Sequence, residues 1–180
     1  MGIDIIPIAI NIAVDAHRGQ VRKYSGLPYI VHPLSVAGLV ADVTPYQENV
    51  DSIIAVAILH DVVEDTSVSL EVIRGIMGSS IAGMVDDLTE KTTLSDGNRK
   101  FRKNMELKRL SKVHYNSQTI KLADLIDNAR SIIHHDKNFA RVFIHEMENL
   151  LDVLVGDDDL HRMADNVVKN YRKDGVFCIL

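Results

Sequence analysis

The sequence predicts an all-α fold, a single domain of about eight or nine helices, and three observations carry that expectation. Apolar residues recur at helical spacing through most of the chain, as in Leu122, Ile126, Ala129 and Ile133, spaced 4, 3, 4. No stretch makes a convincing strand, and there is neither a glycine-rich nucleotide loop following one nor an internal repeat. One stretch, Ile53 to Leu59, is apolar on every side and belongs in the middle of a core.

Composition bounds the function. At 180 residues the chain is long enough for a substantial core, and 46% hydrophobic with 25% charged residues is the profile of a soluble globular domain. The formal net charge of −5 argues against nucleic acid or an anionic membrane as partner. A polyanionic substrate would need a local basic patch or a metal. The single cysteine, Cys178, excludes an internal disulfide and suits a reducing compartment. The apolar N-terminus lacks a basic leader and is interrupted by Asp4, Pro7 and Asn11, Gly2 lacks a myristoylation context, and Cys178 is misplaced for prenylation. The expectation is a cytoplasmic protein, and self-association into a homo-oligomer stays open.

The elements follow in order. A first helix is expected over residues 4–18, with Pro7 in its first turn where no amide bond is lost. The basic run His17 to Lys23 leads into the turn Ser25-Gly26-Leu27-Pro28; such a turn can hold phosphate, though charged loops are usually plain surface. Tyr29-Ile30-Val31-His32-Pro33 opens the next helix, and His32 taken alone reads as a structural histidine. Thr44, Pro45 and Asn49 punctuate before the apolar stretch, which is expected to continue as one helix to Asp65. Ser69 reads as an N-cap, and Gly78 stops the helix that follows.

A helix from about Ser79 to Glu90 buries Ile81, Met84, Val85 and Leu88. The strongest loop signal covers 92–98. Beyond it come Arg99, Lys100, Arg102, Lys103, Lys108, Arg109 and Lys112, either the wet face of a helix or a lid over phosphates. The helix expected from Gln118 to about His135 carries the 4, 3, 4 apolar stripe and, beside it, a polar one of Lys121, Asp124, Asn128, Ser131 and His135, with Asp124 expected to be half buried. Two helices, about 139–155 and 160–172, finish the chain, with Asp157 to Asp159 as turn and cap.

The chemistry concentrates at IIAVAILHDVVED. His60, Asp61, Glu64 and Asp65 end an apolar run, so four polar groups lie at the base of the core. Three carboxylates this close repel one another unless a cation, a shared proton or open water relieves them, and a divalent metal is the most economical answer. His32, the His60-Asp61 pair and Asp124 come from separate helices. Two imidazoles and two carboxylates form a set suited to Mn²⁺, Zn²⁺, Fe²⁺ or Mg²⁺.

Three blocks, YIVHP, HDVVED and KLADLIDN, together with Arg22-Lys23 and Gly26, resemble the HD-domain phosphohydrolases and within them the (p)ppGpp hydrolases. The resemblance covers roughly residues 10–135. It leaves no room for a synthetase domain and so points to the stand-alone small alarmone hydrolases, with an HD-type helical bundle. It implies His32, His60, Asp61 and Asp124 as metal ligands, Mn²⁺ as the usual ion, and Glu64 and Asp65 as the groups that handle the attacking water. It also implies Arg22 against the guanine, Lys23 near the nucleotide, and Asn128 with neighbouring Lys121 on the sugar-phosphate side. The implied reaction removes the 3′-pyrophosphate of (p)ppGpp. Residues 91–117 and the last two helices match poorly.

Two rivals stand beside this reading. One is an HD-type phosphatase acting on NADPH, a dNTP or a nucleoside monophosphate, which would share fold and metal. The other is a module that binds a nucleotide without turnover, against which the completeness of the polar set argues.

Overall fold

The computed structural model describes residues 4–44 and 48–179. Among them lie ten α-helices and one 3-10 turn, so the fold is all-α as expected. Gly2 and Pro45, two residues used in the sequence reading, lie outside the described residues. The chain divides into two compact units, Met1–Thr89 and Glu90–Leu180.

The first unit holds α1 (Ile5–Ala16), α2 (Val31–Val43), α3 (Val50–Leu59), α4 (Val62–Asp65), α5 (Leu70–Met77) and α6 (Ser79–Leu88). The apolar stretch becomes α3, which packs against α1, α2 and α6. Ile53, Ala55, Val56, Ala57, Ile58 and Leu59 are all buried. Burying a side chain the size of Ile53 or Leu59 contributes about 1.5–3 kcal/mol, so this helix anchors whatever hangs from its end. Between α1 and α2 the chain makes a tight loop. Arg22 N–H donates to Leu27 O at 2.8 Å, Gly26 N–H to Arg22 O at 3.0 Å, and Val21 pairs with Pro28. Gly26 sits at φ +68°, a conformation that a side chain disfavours. Helix α2 starts at Val31, two residues before Pro33, which still falls in the first turn. Ser69 caps α5 by accepting from Val72 N–H, as its sequence position suggests.

The structure corrects the expectation for the central helix. The helix from Ile53 to Asp65 is not continuous: it stops at Leu59 and restarts at Val62. At the break His60 Nδ1 donates to Ala57 O at 2.8 Å, a side-chain bond to the last turn of α3. Asp61 then takes φ −95°, ψ −7°, at the edge of the helical region. Splitting this helix also raises the helix count above eight or nine.

The second unit holds the 3-10 turn Leu94–Asp96, α7 (Arg99–Leu110), α8 (Tyr115–His135), α9 (Lys137–Leu151) and α10 (Asp158–Asp174). Helix α8 packs on α9 and α10, and α7 on α9. It begins three residues earlier than expected because His114 caps it, Nδ1 accepting from Asn116 N–H at 3.1 Å. Gln118 Oε1 and Thr119 Oγ1 accept the amides of Val155 and Asp157. Between those residues Gly156 lies so close that a Cβ there would stand 2.6 Å from Thr119 N. Asp157 caps α10 as expected, accepting from Asp159 and Leu160. The basic run on α7 is laced with ion pairs: Lys103 to Glu90 at 2.7 Å, Arg109 to Glu106 at 2.7 Å, and Arg99 in a two-pronged contact with Glu146. Lys100, Lys108 and Lys112 are exposed. Among the described residues no helix is long and apolar enough to cross a membrane.

Candidate metal centre

Three predicted ligands meet in the first unit. His32 is the second residue of α2, and His60 and Asp61 form the break between α3 and α4. One ligand atom from each lies within 4.8 Å of the others. Nε2 of His32 is 3.4 Å from Asp61 Oδ2, and Nε2 of His60 is 3.2 Å from Asp61 Oδ1. The imidazoles meet edge to face at 5.2 Å and are both buried, while the Asp61 side chain retains 19% exposure. The cluster therefore opens through its carboxylate.

The orientation of His60 tests the fit to a cation. A carbonyl oxygen can only accept, so the contact to Ala57 O fixes the hydrogen on Nδ1. In the neutral ring this directs the Nε2 lone pair at a carboxylate oxygen, and two acceptors so placed need a proton or a cation between them. Fixing one ring nitrogen to a carbonyl is also how proteins aim the other at a metal. Two imidazole nitrogens and a carboxylate form a borderline-to-hard donor set appropriate to Mn²⁺, Fe²⁺ or Zn²⁺. The residues fit a divalent metal.

Around this cluster lies a polar frame that the sequence reading did not assign. Tyr29 Oη is 2.7 Å from Asp61 Oδ2 and 2.8 Å from Asp65 Oδ2. Burial, reinforced by the charges of Asp61 and Asp65, holds its phenol well above the ordinary tyrosine value, so the group is a donor. The ring stacks on His17 at 4.6 Å. His17 Nδ1 meets Gln20 Oε1 at 2.8 Å, and Gln20 Nε2 donates to the Asp65 carbonyl at 2.8 Å. Tyr29 is visible in the YIVHP block, but nothing in the sequence ties Gln20 to Asp65, 45 positions onward, or His17 to the Tyr29 ring.

Glu64 and Asp65, on α4, are exposed. Arg22 and Lys23 occupy the tight loop before Tyr29, with Lys23 Nζ 4.8 Å from the Tyr24 ring centroid. The remaining predicted residues belong to α8 in the second unit. Asp124 is buried at 5% exposure rather than half buried, because it falls between the apolar positions Ala123 and Leu125. Its Oδ2 accepts from Lys121 Nζ at 2.7 Å and its Oδ1 from Asn128 Nδ2 at 2.5 Å. The polar stripe of α8 thus draws Lys121, Asp124 and Asn128 into one hydrogen-bonded group, at spacings of three and four that a helix brings together.

Comparison with known proteins adds the following. A family model described as an HD domain matches residues 9–152. A Vibrio cholerae protein named guanosine-3′,5′-bis(diphosphate) 3′-pyrophosphohydrolase is 38% identical over 127 residues, 67% of this chain and 17% of that protein. A Drosophila melanogaster protein of the same name, MESH1, is 30% identical over 124 residues, 68% of this chain and 66% of that one. The chain spans less than a fifth of the length of the long bacterial relative. A solved structure of a metazoan ortholog of SpoT, described as hydrolysing ppGpp, superposes with a TM-score of 0.82 at 24% identity and covers 98% of this chain and 99% of its own, which establishes the shared helical fold.

Proposed function

The chain belongs to the HD-domain family, and on that premise we propose that it hydrolyses the 3′-diphosphate of guanosine tetraphosphate or pentaphosphate, releasing pyrophosphate and leaving GDP or GTP. The observation that carries this reading is His60, fixed at Nδ1 by Ala57 O and aimed at Asp61 and His32. The named activity of relatives at 30–38% identity supports the choice of nucleotide.

His32, His60 and Asp61 hold the cation, and Asp124 is assigned as the fourth ligand on the resemblance of its KLADLIDN block. Mn²⁺ is the ion proposed. A divalent cation so held polarises a phosphoryl oxygen and lowers the pKa of water from about 15.7 towards about 7. Glu64 and Asp65, exposed on α4 beside the cluster, accept the proton of the attacking water. The water oxygen bonds to the phosphorus attached to O3′, and the bond from that phosphorus to O3′ breaks. Its electron pair stays on O3′, which takes up a proton. Arg22 packs on the purine, Lys23 lies along the phosphates, and Lys121 and Asn128 orient the sugar-phosphate side. Residues 1–180 work as one catalytic domain in the cytoplasm.

The test is a panel of ppGpp, pppGpp, GTP, dATP and NADPH at equal concentration with Mn²⁺, products resolved by chromatography. The expected result is pyrophosphate from the two guanosine 3′-diphosphates, far faster than any product from the rest. Arg22→Ala should raise KM about tenfold, as the loss of one stacking contact predicts, with metal content unchanged. Orthophosphate from NADPH, or a nucleoside from dATP, as the dominant product would overturn the substrate assignment.

A further inference from the structure

Tyr29 stands between a proposed ligand carboxylate and a proposed water-handling carboxylate. Its single hydroxyl oxygen lies 2.7 Å from Asp61 Oδ2 and 2.8 Å from Asp65 Oδ2. A phenol carries one hydrogen, so it donates to one of these at a time and keeps both within reach of one atom. The break between α3 and α4 is where such a tie matters. Asp61 is the cap residue of α4 and Asp65 its last residue, one helical turn on, with Asp65 N–H donating to Asp61 O at 2.9 Å, so the phenol bridges the two carboxylates of the short segment that follows the break.

The hydroxyl is itself held by a closed circuit of contacts. The Tyr29 amide donates to Gln20 O at 3.0 Å. The Gln20 side chain donates Nε2 to the Asp65 carbonyl at 2.8 Å, which turns its Oε1 towards His17 Nδ1. An amide oxygen only accepts, so His17 carries its hydrogen on Nδ1. The His17 ring, 3% exposed, stacks on the Tyr29 ring with an interplanar angle of 26°. The circuit runs Gln20, Asp65, Tyr29, His17 and back to Gln20, and the edge of His32 meets Tyr29 from the other side at 5.9 Å. This enclosure leaves the phenol little freedom to turn away from the carboxylates.

We infer that Tyr29, seated by His17 and Gln20, is a positioning residue that sets the separation between the ligand Asp61 and the water-handling Asp65. The inference rests on the metal-dependent reading above. Hydrogen-bond partners of metal ligands commonly change metal affinity or activity about 10–100-fold when removed, and Tyr29 is such a partner for Asp61.

The test uses the full chain with Tyr29→Phe, which keeps the stacked ring and removes the hydroxyl, and His60→Ala as a control. Three quantities are read: the Mn²⁺ dissociation constant by calorimetry, the melting temperature of the metal-free protein, and kcat and KM for ppGpp. Tyr29→Phe should weaken Mn²⁺ binding about 10–100-fold and lower kcat by a similar factor, with KM and the metal-free melting temperature near wild type. Unchanged Mn²⁺ affinity and kcat would overturn the inference, as would a change confined to KM, which would place the hydroxyl on the nucleotide. A metal-free melting temperature that falls with the affinity would also overturn it, since Tyr29 would then hold the fold. If His60→Ala binds Mn²⁺ as the wild type does, the metal-dependent reading itself fails.

Discussion

In the first unit Asp61 stands among two imidazoles and a phenol, whereas in the second Glu90, Glu106 and Glu146 each meet an ammonium or guanidinium at 2.7 Å. The difference lies in what the neighbours can do with charge. A lysine or arginine is a fixed cation that settles its carboxylate locally, and a partly exposed pair of this kind contributes only about 0–1 kcal/mol. An imidazole whose Nδ1 hydrogen is committed to a carbonyl offers a lone pair instead, and its contact with a carboxylate becomes favourable when a proton or a cation enters. Among the described residues, the ligand-like grouping of His32, His60 and Asp61 belongs to the first unit. Asp124 lies between the two cases, buried like a ligand and held by Lys121 and Asn128 like a structural acid.

The largest effect that could break this contrast is loss of metal. Mn²⁺ at about 100 times its dissociation constant should stabilise the wild type by about 2.7 kcal/mol, and chelation should abolish turnover. His60→Ala should lose both responses, whereas Glu90→Gln, in the ion-paired unit, should keep them. Melting curves with and without Mn²⁺ would show this. If Glu90→Gln lost the Mn²⁺ response while His60→Ala kept it, the contrast would be inverted.

A smaller effect separates holding the metal from using the water. Glu64→Gln preserves size and removes a proton acceptor, so kcat should fall about 10²–10⁴-fold while Mn²⁺ affinity stays within a few-fold of wild type. Normal turnover in this variant, measured by pyrophosphate release, would make Glu64 structural and move its role to another group.

The smallest effect lies in the second unit and concerns acid. Burial pushes the Glu90 carboxyl up, but hydrogen bonds from Lys103 and Thr92 and the charges of Lys103 and Arg102 outweigh it, leaving the group below its ordinary 4.5. A carboxyl depressed in the folded state stabilises it above the unfolded value, and that contribution disappears as pH falls from 4.5 through the folded value. Lys103→Met should therefore cost at most about 1 kcal/mol near neutrality, and the gap to wild type should close in acid. Urea melts across that range give the answer; a gap that persists in acid would mean that Lys103 acts through packing of its alkyl chain.

Much of this architecture was legible in the residues. The all-round apolar run Ile53 to Leu59 could only be central, and it is the helix on which the first unit packs. Ser69 and Asp157 announced helix starts because a short side chain there satisfies amides within three residues. Of the four residues that chemistry and family resemblance put forward as ligands, His32, His60, Asp61 and Asp124, the first three offer atoms within 4.8 Å of one another. These are statements about local sequence, or about polar groups whose burial needs a shared solution.

What the sequence by itself determined, then, is the helical class, the main helices and the residue types able to hold a cation. What only the tertiary structure decided is where the central helix breaks and what stands behind the ligands. Periodicity continues from Leu59 into Val62 and gives no sign of interruption, and the break falls where a side chain, His60 Nδ1, bonds a backbone carbonyl. Likewise the frame of His17, Gln20 and Tyr29 joins residues to an aspartate 36 to 45 positions away. Hydrogen bonds of that kind depend on the direction and distance of single atoms after packing, and neither quantity is encoded in the period of a hydrophobic pattern.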